Sequence, residues 1–324
     1  MRCKMTRSTA FFVNGGAGRH VCSIPAFEKY EIENPDDDFI IVCEGGMDMY
    51  KGHPTLHRRA FDNWHKGLFE DKIKDRNCVS TEPYRNWEYY NQKASLAQAF
   101  DIQINNKGVR SLPLPNLHLW SDELVTGQDI VAEAKEKTQK QKAIVFQPYG
   151  RGTQPVGQKK PQLIDTGGRS FNVADTIKII KKLQKKYAVI LMSEFPMDFQ
   201  EQGCTDPVAQ PEGAPLRIWA STIAAADGFI GCDSVGQHFA HTLKTPAVTV
   251  VGATYPENVS YEDNDAFQVL DLGAGRRRYD PIRISFDEEV GRSHDGIMML
   301  SDKAVDEIVK ELEIVMKKGN KDAK

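Results

Sequence analysis

The 324-residue sequence predicts an α/β chain of two similar halves, each on a parallel sheet, with a cleft between them. Three observations carry this. Short, near-continuous apolar runs recur and stop at glycine or polar turns, the pattern of strands covered on both faces. One-sided apolar stripes at helical spacing lie between these runs, and such alternation implies parallel strands with right-handed crossovers. The alternation also starts twice, on either side of the polar stretch EAKEKTQKQK (133–142), and the length allows each half its own core.

In order, TAFFVN (9–14) and FIIVCEGG (39–46) are the strands expected in the first half. LPLPNLHLW (112–120) and the polar stretch after it put the domain boundary at about residue 130. The second half opens with KAIVFQPYG (142–150) and continues through YAVILMSE (187–194), GFIGCDS (228–234), AVTVVGA (247–253) and FQVLDL (267–272). A helix is predicted over 173–185, with Val173, Ile177, Ile180 and Leu183 on one face and lysines on the other. A last helix is predicted over 301–318, with Val305, Ile308, Val309, Leu312 and Met316 inward, before a disordered tail over 319–324. The expected domains are therefore 1–130 and 131–300, followed by that helix and tail.

A formal charge of −3 and a pI near 6.3 exclude a strong global pull towards nucleic acid or anionic membrane, although Arg276, Arg277 and Arg278 make a local basic patch. Six scattered cysteines without a Cys-x-x-Cys pair suit neither a zinc site nor a disulfide framework, and read as reduced thiols of a cytoplasmic protein. No run approaches the ~18 apolar residues of a membrane span, and no secretion signal is expected.

Two stretches carry chemistry. NGGAGRHVCSIPA (14–26) follows the first strand: its glycines let a backbone approach a ligand, and the helix after them offers free N–H groups to an anion. Gly16 and Gly18 fit the dinucleotide fingerprint and Glu44 is placed to hold a ribose, but the third glycine position is Val21. An NAD-linked oxidoreductase and a tight turn without a ligand both remain open from this stretch. In the second stretch, a strand ends at Asp233 and Ser234, and a helix opens through Val235, Gly236, Gln237 and His238, presenting N–H groups and hydroxyls to a diphosphate. His238 and His241 lack a third ligand at metal spacing, and Asp36, Asp37 and Asp38 read as a solvated acidic turn.

Asp233-Ser234-x-x-x-His238, followed by A-x-x-L-x-T-P-x-V-x-x-x-G-x-T-x-P, resembles glycosyltransferase family nine, the heptosyltransferase group. The opening GGAGRHVCSIPAFEKY is similar to that family's first strand-to-helix turn; residues 45–125 match nothing in it. The resemblance implies a GT-B architecture: two Rossmann-like domains facing across a cleft, the donor nucleotide sugar on the second and the acceptor on the first. It implies inverting transfer with no cofactor or metal, because helix N-termini and cations stabilise the departing diphosphate. By position it carries over Tyr149 and Arg151 in the phosphate-side loop, Arg169 as a cation for the diphosphate, and Glu194 at a strand end for the ribose. Gly16 and Gly18 join this donor set, with Asp233, Ser234, Val235, Gly236 and His238.

The family's Gly-Asp step, source of its expected general base, reads Gly18-Arg19 here, and arginine takes no proton at neutral pH. His20 and Asp48 are the candidate bases, and Arg19 a candidate contact for an anionic group. The aromatic segment 84–100 offers Arg85, Trp87 and Tyr90 to an acceptor, or else forms an amphipathic helix burying Trp87, Tyr90 and Leu96. A saccharide of lipopolysaccharide type is the expected acceptor. Hydroxymethylated DNA is the alternative, motivated by the Arg58–Arg59 and Arg276–Arg278 clusters; a binding protein without catalysis is another, motivated by Arg19.

Overall fold

The computed structural model describes residues 8–157, 162–165, 167–261, 264–277 and 296–322. They form two compact units that divide at Leu119 and Trp120.

The first unit holds β1 (Thr9–Asn14), α1 (Ala17–Glu33), β2 (Ile40–Glu44), β3 (Ala60–Asp62), β4 (Asn77–Thr81), α2 (Trp87–Tyr90) and α3 (Leu96–Asn105). Its sheet has the order β3-β2-β1-β4, every pair parallel. Phe11, Val13, Phe39, Ile41 and Cys43 pack with α1 and α3, whereas Ala10, Ile40 and Val42 meet Phe61 on β3 and Leu68 and Ile73 from the segment between β3 and β4. One face is thus closed by α-helices and the other by a segment with a short π-helical turn, Leu68–Ile73. The aromatic stretch is broken into a 3-10 turn, α2 and α3, the last started by a Ser95–Gln98 capping box. It buries Tyr89 and Leu96 and leaves Trp87 60% exposed, so the single helix with Trp87 inward does not form.

The second unit holds α4 (Ser121–Thr138), β5 (Ala143–Gln147), the antiparallel pair β6 (Thr153–Val156) and β7 (Gln162–Asp165), α5 (Val173–Leu183) and β8 (Ala188–Leu191). It continues with α6 (Leu216–Ala225), β9 (Gly228–Cys232), α7 (Val235–Thr242), β10 (Ala247–Val251), α8 (Pro256–Val259), β11 (Phe267–Asp271) and α9 (Asp302–Asp322). The main sheet, β11-β10-β9-β5-β8, is wholly parallel. Ile144, Phe146, Ile230, Val248 and Val250 pack with α5 and α9, and α4, α6 and α7 cover the other face.

Residue 130 falls inside α4, which packs on α6; of the polar stretch expected to mark the boundary, residues 133–138 end that helix and 139–142 lead into β5. The last helix runs to Asp322, past the start of the expected tail, while Ala323 and Lys324 lie outside the described residues. Among the described residues no helix is long and apolar enough to cross a membrane.

Candidate functional site

In the second unit, β5 is flanked by β8 on one side and β9 on the other. Chain order reverses there, so the loops leaving β5 and β9 diverge and open a crevice at the carboxyl ends of the strands, where open α/β sheets take ligands. Gln147 closes its floor. The Gln147 Nε2 donates to Ser234 Oγ at 3.2 Å, and its Oε1 accepts the Gly236 N–H at 2.9 Å. Only glycine allows this approach: a Cβ on Gly236 would stand 2.4 Å from that oxygen and 2.6 Å from the Phe229 ring. One N–H of the opening turn of α7, expected to be free for a ligand, is therefore satisfied within the protein.

Asp233 is 6% exposed, and both its oxygens are engaged, Oδ1 by Gln237 Nε2 at 2.7 Å and Oδ2 by Thr254 Oγ1 at 2.9 Å. Burial raises its pKa, while the nearby Arg169 charge and these donors work against that rise. Gln237 in turn accepts from Ser260 Oγ at 2.9 Å. Asp233 thus ties the turn after β9 to the loop after β10. Burial drives His238 down to about 3 and His241 to about 4, so both rings are neutral. The Tyr261 hydroxyl meets His238 Nδ1 at 2.7 Å, and its ring stacks on His241 at 3.5 Å.

A second hub is Asp165. It accepts from the N–H groups of Gly167 (2.7 Å), Arg169 (3.2 Å) and Ser170 (3.0 Å) and from Ser170 Oγ (2.6 Å). Ser170 Oγ accepts the Gly150 N–H at 2.8 Å, joining this loop to the one after β5. Arg169 is thereby held beside Gly150, with its charge reaching Asp233. Tyr149 is buried, its hydroxyl 3.6 Å from Met197 Sδ and its ring edge-on to Phe195. Arg151 and Glu194 are exposed on the loops that follow β5 and β8.

The structure therefore brings Arg169, Asp233, Ser234, Val235 and Gly236 to one crevice and places Tyr149 and His238 behind it as buried supports. Gln147, Asp165, Thr254 and Tyr261 complete it. For Gln147 the sequence carries a signal, a lone polar residue closing an apolar strand; for Asp165 it carries none.

In the first unit the order reverses between β1 and β4. Gly16 is the N-cap of α1 and makes no side-chain cap, and Gly18 lies in the first turn. Arg19 folds back to pair with Glu82 at 3.5 Å and to donate to the Thr81 carbonyl at 3.4 Å, with its guanidinium over the rings of Tyr84 and Phe100. His20 is fully buried, donates from Nδ1 to the Gly16 carbonyl at 3.1 Å, and is driven by desolvation to about 4. Gly46 covers the ring so closely that a Cβ there would lie 2.5 Å from Nδ1. No face of His20 is open to a substrate hydroxyl. Asp48 is exposed after β2 and pairs with Lys51 at 2.6 Å. Arg85 and Trp87 are exposed, the latter under Lys93, whereas Tyr90 packs against the core.

One arginine of each basic cluster is engaged inside the fold, while Arg58 and Arg276 are exposed. Arg59 pairs with Glu31 and Asp38 and lies over Phe39; Arg277 pairs with Asp271, donates to the Gly252 carbonyl and covers Tyr255. Arg278 lies outside the described residues. Asp37 accepts from Thr9 and Tyr30, and Asp38 pairs with Arg59 and Arg76, so the acidic turn is a structural clasp.

The chain matches the glycosyltransferase of family 9 from Veillonella parvula DSM 2008 with a TM-score of 0.64 at 12% identity, over 96% of this chain and 98% of that one. E. coli ADP-heptose lipopolysaccharide heptosyltransferase II gives 0.59 at 11% identity, over 97% and 99%. E. coli heptosyltransferase WaaC, solved with ADP, gives 0.51 at 14%, over 94% and 99%. The fold is GT-B. No family model and no curated protein sequence matches the chain. Within the GT-B frame, the crevice built on Arg169 and Asp233 belongs to the second unit and the Gly16 turn to the first.

Proposed function

We propose that this chain is an inverting glycosyltransferase that takes a sugar from a nucleoside-diphospho-sugar without a metal ion. The observation that carries the reading is the convergence, at the β5/β9 switch point, of Arg169, the Asp233–Ser234 turn and the start of α7. A diphosphate needs cations and N–H donors that strengthen as charge develops on the departing oxygen. Arg169 supplies a planar fork suited to two phosphate oxygens. The start of α7 adds about 0.3–2 kcal/mol for an anion through its dipole. Asp233, fully engaged by Thr254 and Gln237, shapes the pocket and does not ligate.

The nucleotide is proposed to be ADP and the sugar a heptose, on the strength of the ADP and ADP-heptose named for the structures matched above. The acceptor is proposed to be a hydroxyl of a lipopolysaccharide-type saccharide. A DNA acceptor is the second reading: Arg59 and Arg277 are engaged in ion pairs, and Arg58 and Arg276 are exposed to meet phosphates.

Calorimetry with a panel of nucleotide sugars, ADP-heptose among them, tests this, with mass spectrometry of the products. Binding is expected, and Arg169→Ala is expected to weaken it by about tenfold or more. A chain that binds none of the panel overturns the reading; binding without turnover over a broad acceptor panel leaves a binding protein.

A further inference from the structure

We propose that Glu82 is the carboxylate that takes the proton from the acceptor hydroxyl, an assignment that rests on the glycosyltransferase reading above. Inverting transfer needs a base at the acceptor. Four carboxylates close or follow the strands of the first sheet: Glu44 at the end of β2, Asp48 after it, Asp62 on β3 and Glu82 after β4. Ligands enter such sheets where the strand order reverses, here between β1 and β4. Glu44, Asp48 and Asp62 belong to strands on the far side of β1, so of the four only Glu82 borders that crevice.

Its surroundings fit the task. The Glu82 side chain is 31% exposed, open enough to meet a hydroxyl. Arg19 fixes it from one side at 3.5 Å and is itself anchored to the Thr81 carbonyl and to the rings of Tyr84 and Phe100. Arg19 so serves as a positioning residue, and the carboxylate that its place in the sequence lacks stands beside it from β4.

In the step, the acceptor oxygen forms its bond to the anomeric carbon and its proton passes to a Glu82 oxygen. The bond from that carbon to the diphosphate breaks, and its electron pair leaves with the nucleoside diphosphate. Glu82 then returns its proton to water.

The test is steady-state kinetics across pH for wild type, Glu82→Gln and Glu82→Asp, with calorimetry of the nucleotide sugar on each. Glu82→Gln is expected to lower kcat by about 10²–10⁴-fold, to abolish the acidic limb of the kcat profile, and to leave donor affinity within about threefold. A purely structural Glu82 would not move that limb. Should Glu82→Gln not fold, Glu82→Asp decides: a displaced acidic limb supports the assignment and an unchanged one overturns it. Retained kcat in Glu82→Gln, or loss in Asp48→Asn with Glu82→Gln unaffected, overturns this assignment alone. A wild-type chain that binds no nucleotide sugar overturns the donor reading and this assignment with it.

Discussion

Gln147 and Gly236, 89 residues apart in sequence, meet through a single hydrogen bond of 2.9 Å that seats the start of α7 against the end of β5. Gln147→Leu would leave the Gly236 N–H buried without a partner, which costs about 1–3 kcal/mol. Gln147→Glu keeps an oxygen for that N–H but sets a negative charge at the proposed diphosphate position. Urea unfolding should show Gln147→Leu destabilised, and Gln147→Glu destabilised as well by the carboxylate it buries. Calorimetry should show Gln147→Glu binding nucleotide sugar at least about tenfold more weakly, or about 1.4 kcal/mol. Equal affinity in Gln147→Glu and wild type would remove the diphosphate from this end of the crevice.

Asp165 holds the loop that presents Arg169, through three backbone N–H groups and one hydroxyl. An amide in its place has one acceptor oxygen and turns an NH₂ donor towards groups that also donate. Asp165→Asn is therefore expected to loosen residues 167–170 and the Gly150 loop joined to them by Ser170. Limited proteolysis should cut this region faster, and nucleotide-sugar affinity should fall about tenfold. Unchanged cleavage and affinity would mean that Asp165 is a bystander.

Legibility from sequence followed burial. β5, β8, β9 and β10 are buried throughout, and their uninterrupted apolar runs announced them. β4, an edge strand with only Thr81 buried, and β3, three residues long, have no such run, and both went unpredicted. The polar face of α4 hid its anchoring residues, because one buried position in each turn is a weak periodic signal. At the site, the strand-to-helix turn at Asp233 and Ser234 was readable because its chemistry is contiguous. Gln147, Asp165 and Glu82 act through partners that only the fold brings near. The sequence offers Arg19 as a candidate contact for an anionic group; its guanidinium packs on Tyr84 and Phe100, contacts across 62 or more residues that no local pattern encodes.

Two buried histidines, His20 and His238, and the half-buried His241 make the fold sensitive to acid. Burial lowers His20 from 6.5 to about 4, His238 to about 3 and His241 to about 4. The unfolded chain binds these protons first, so each ring's contribution is complete above about pH 6.5 and is lost as pH falls towards the folded value. For His20 alone the loss is on the order of 3 kcal/mol. Asp233, raised by burial, works in the opposite direction at the acid end. Urea midpoints should fall steeply between about pH 7 and pH 5, and the fall should be shallower in His20→Asn. Parallel pH curves for the two proteins would show that His20 is not charged on unfolding.

The α4–α6 contact explains why the division of the chain lies before α4 and offers the sharpest stability test. Gly127 sits where the helices cross, and a Cβ there would lie 2.5 Å from the Ser221 carbonyl carbon, a backbone atom that cannot swing aside. One turn earlier, Glu123 receives two 2.6 Å hydrogen bonds from Arg217, both side chains being buried, and the guanidinium lies over the Trp120 ring. Arg217→Met strands the Glu123 carboxylate out of water, at a cost of about 3–5 kcal/mol, whereas replacing both partners with apolar residues removes most of that penalty. Gly127→Val is expected to cost about 1–3 kcal/mol or more, because the helices must separate. Since the two features share one interface, Arg217→Met and Gly127→Val should combine less than additively in urea unfolding. Additive losses, or an Arg217→Met loss below about 1 kcal/mol, would mean that α4 is held to the second unit by its apolar residues alone.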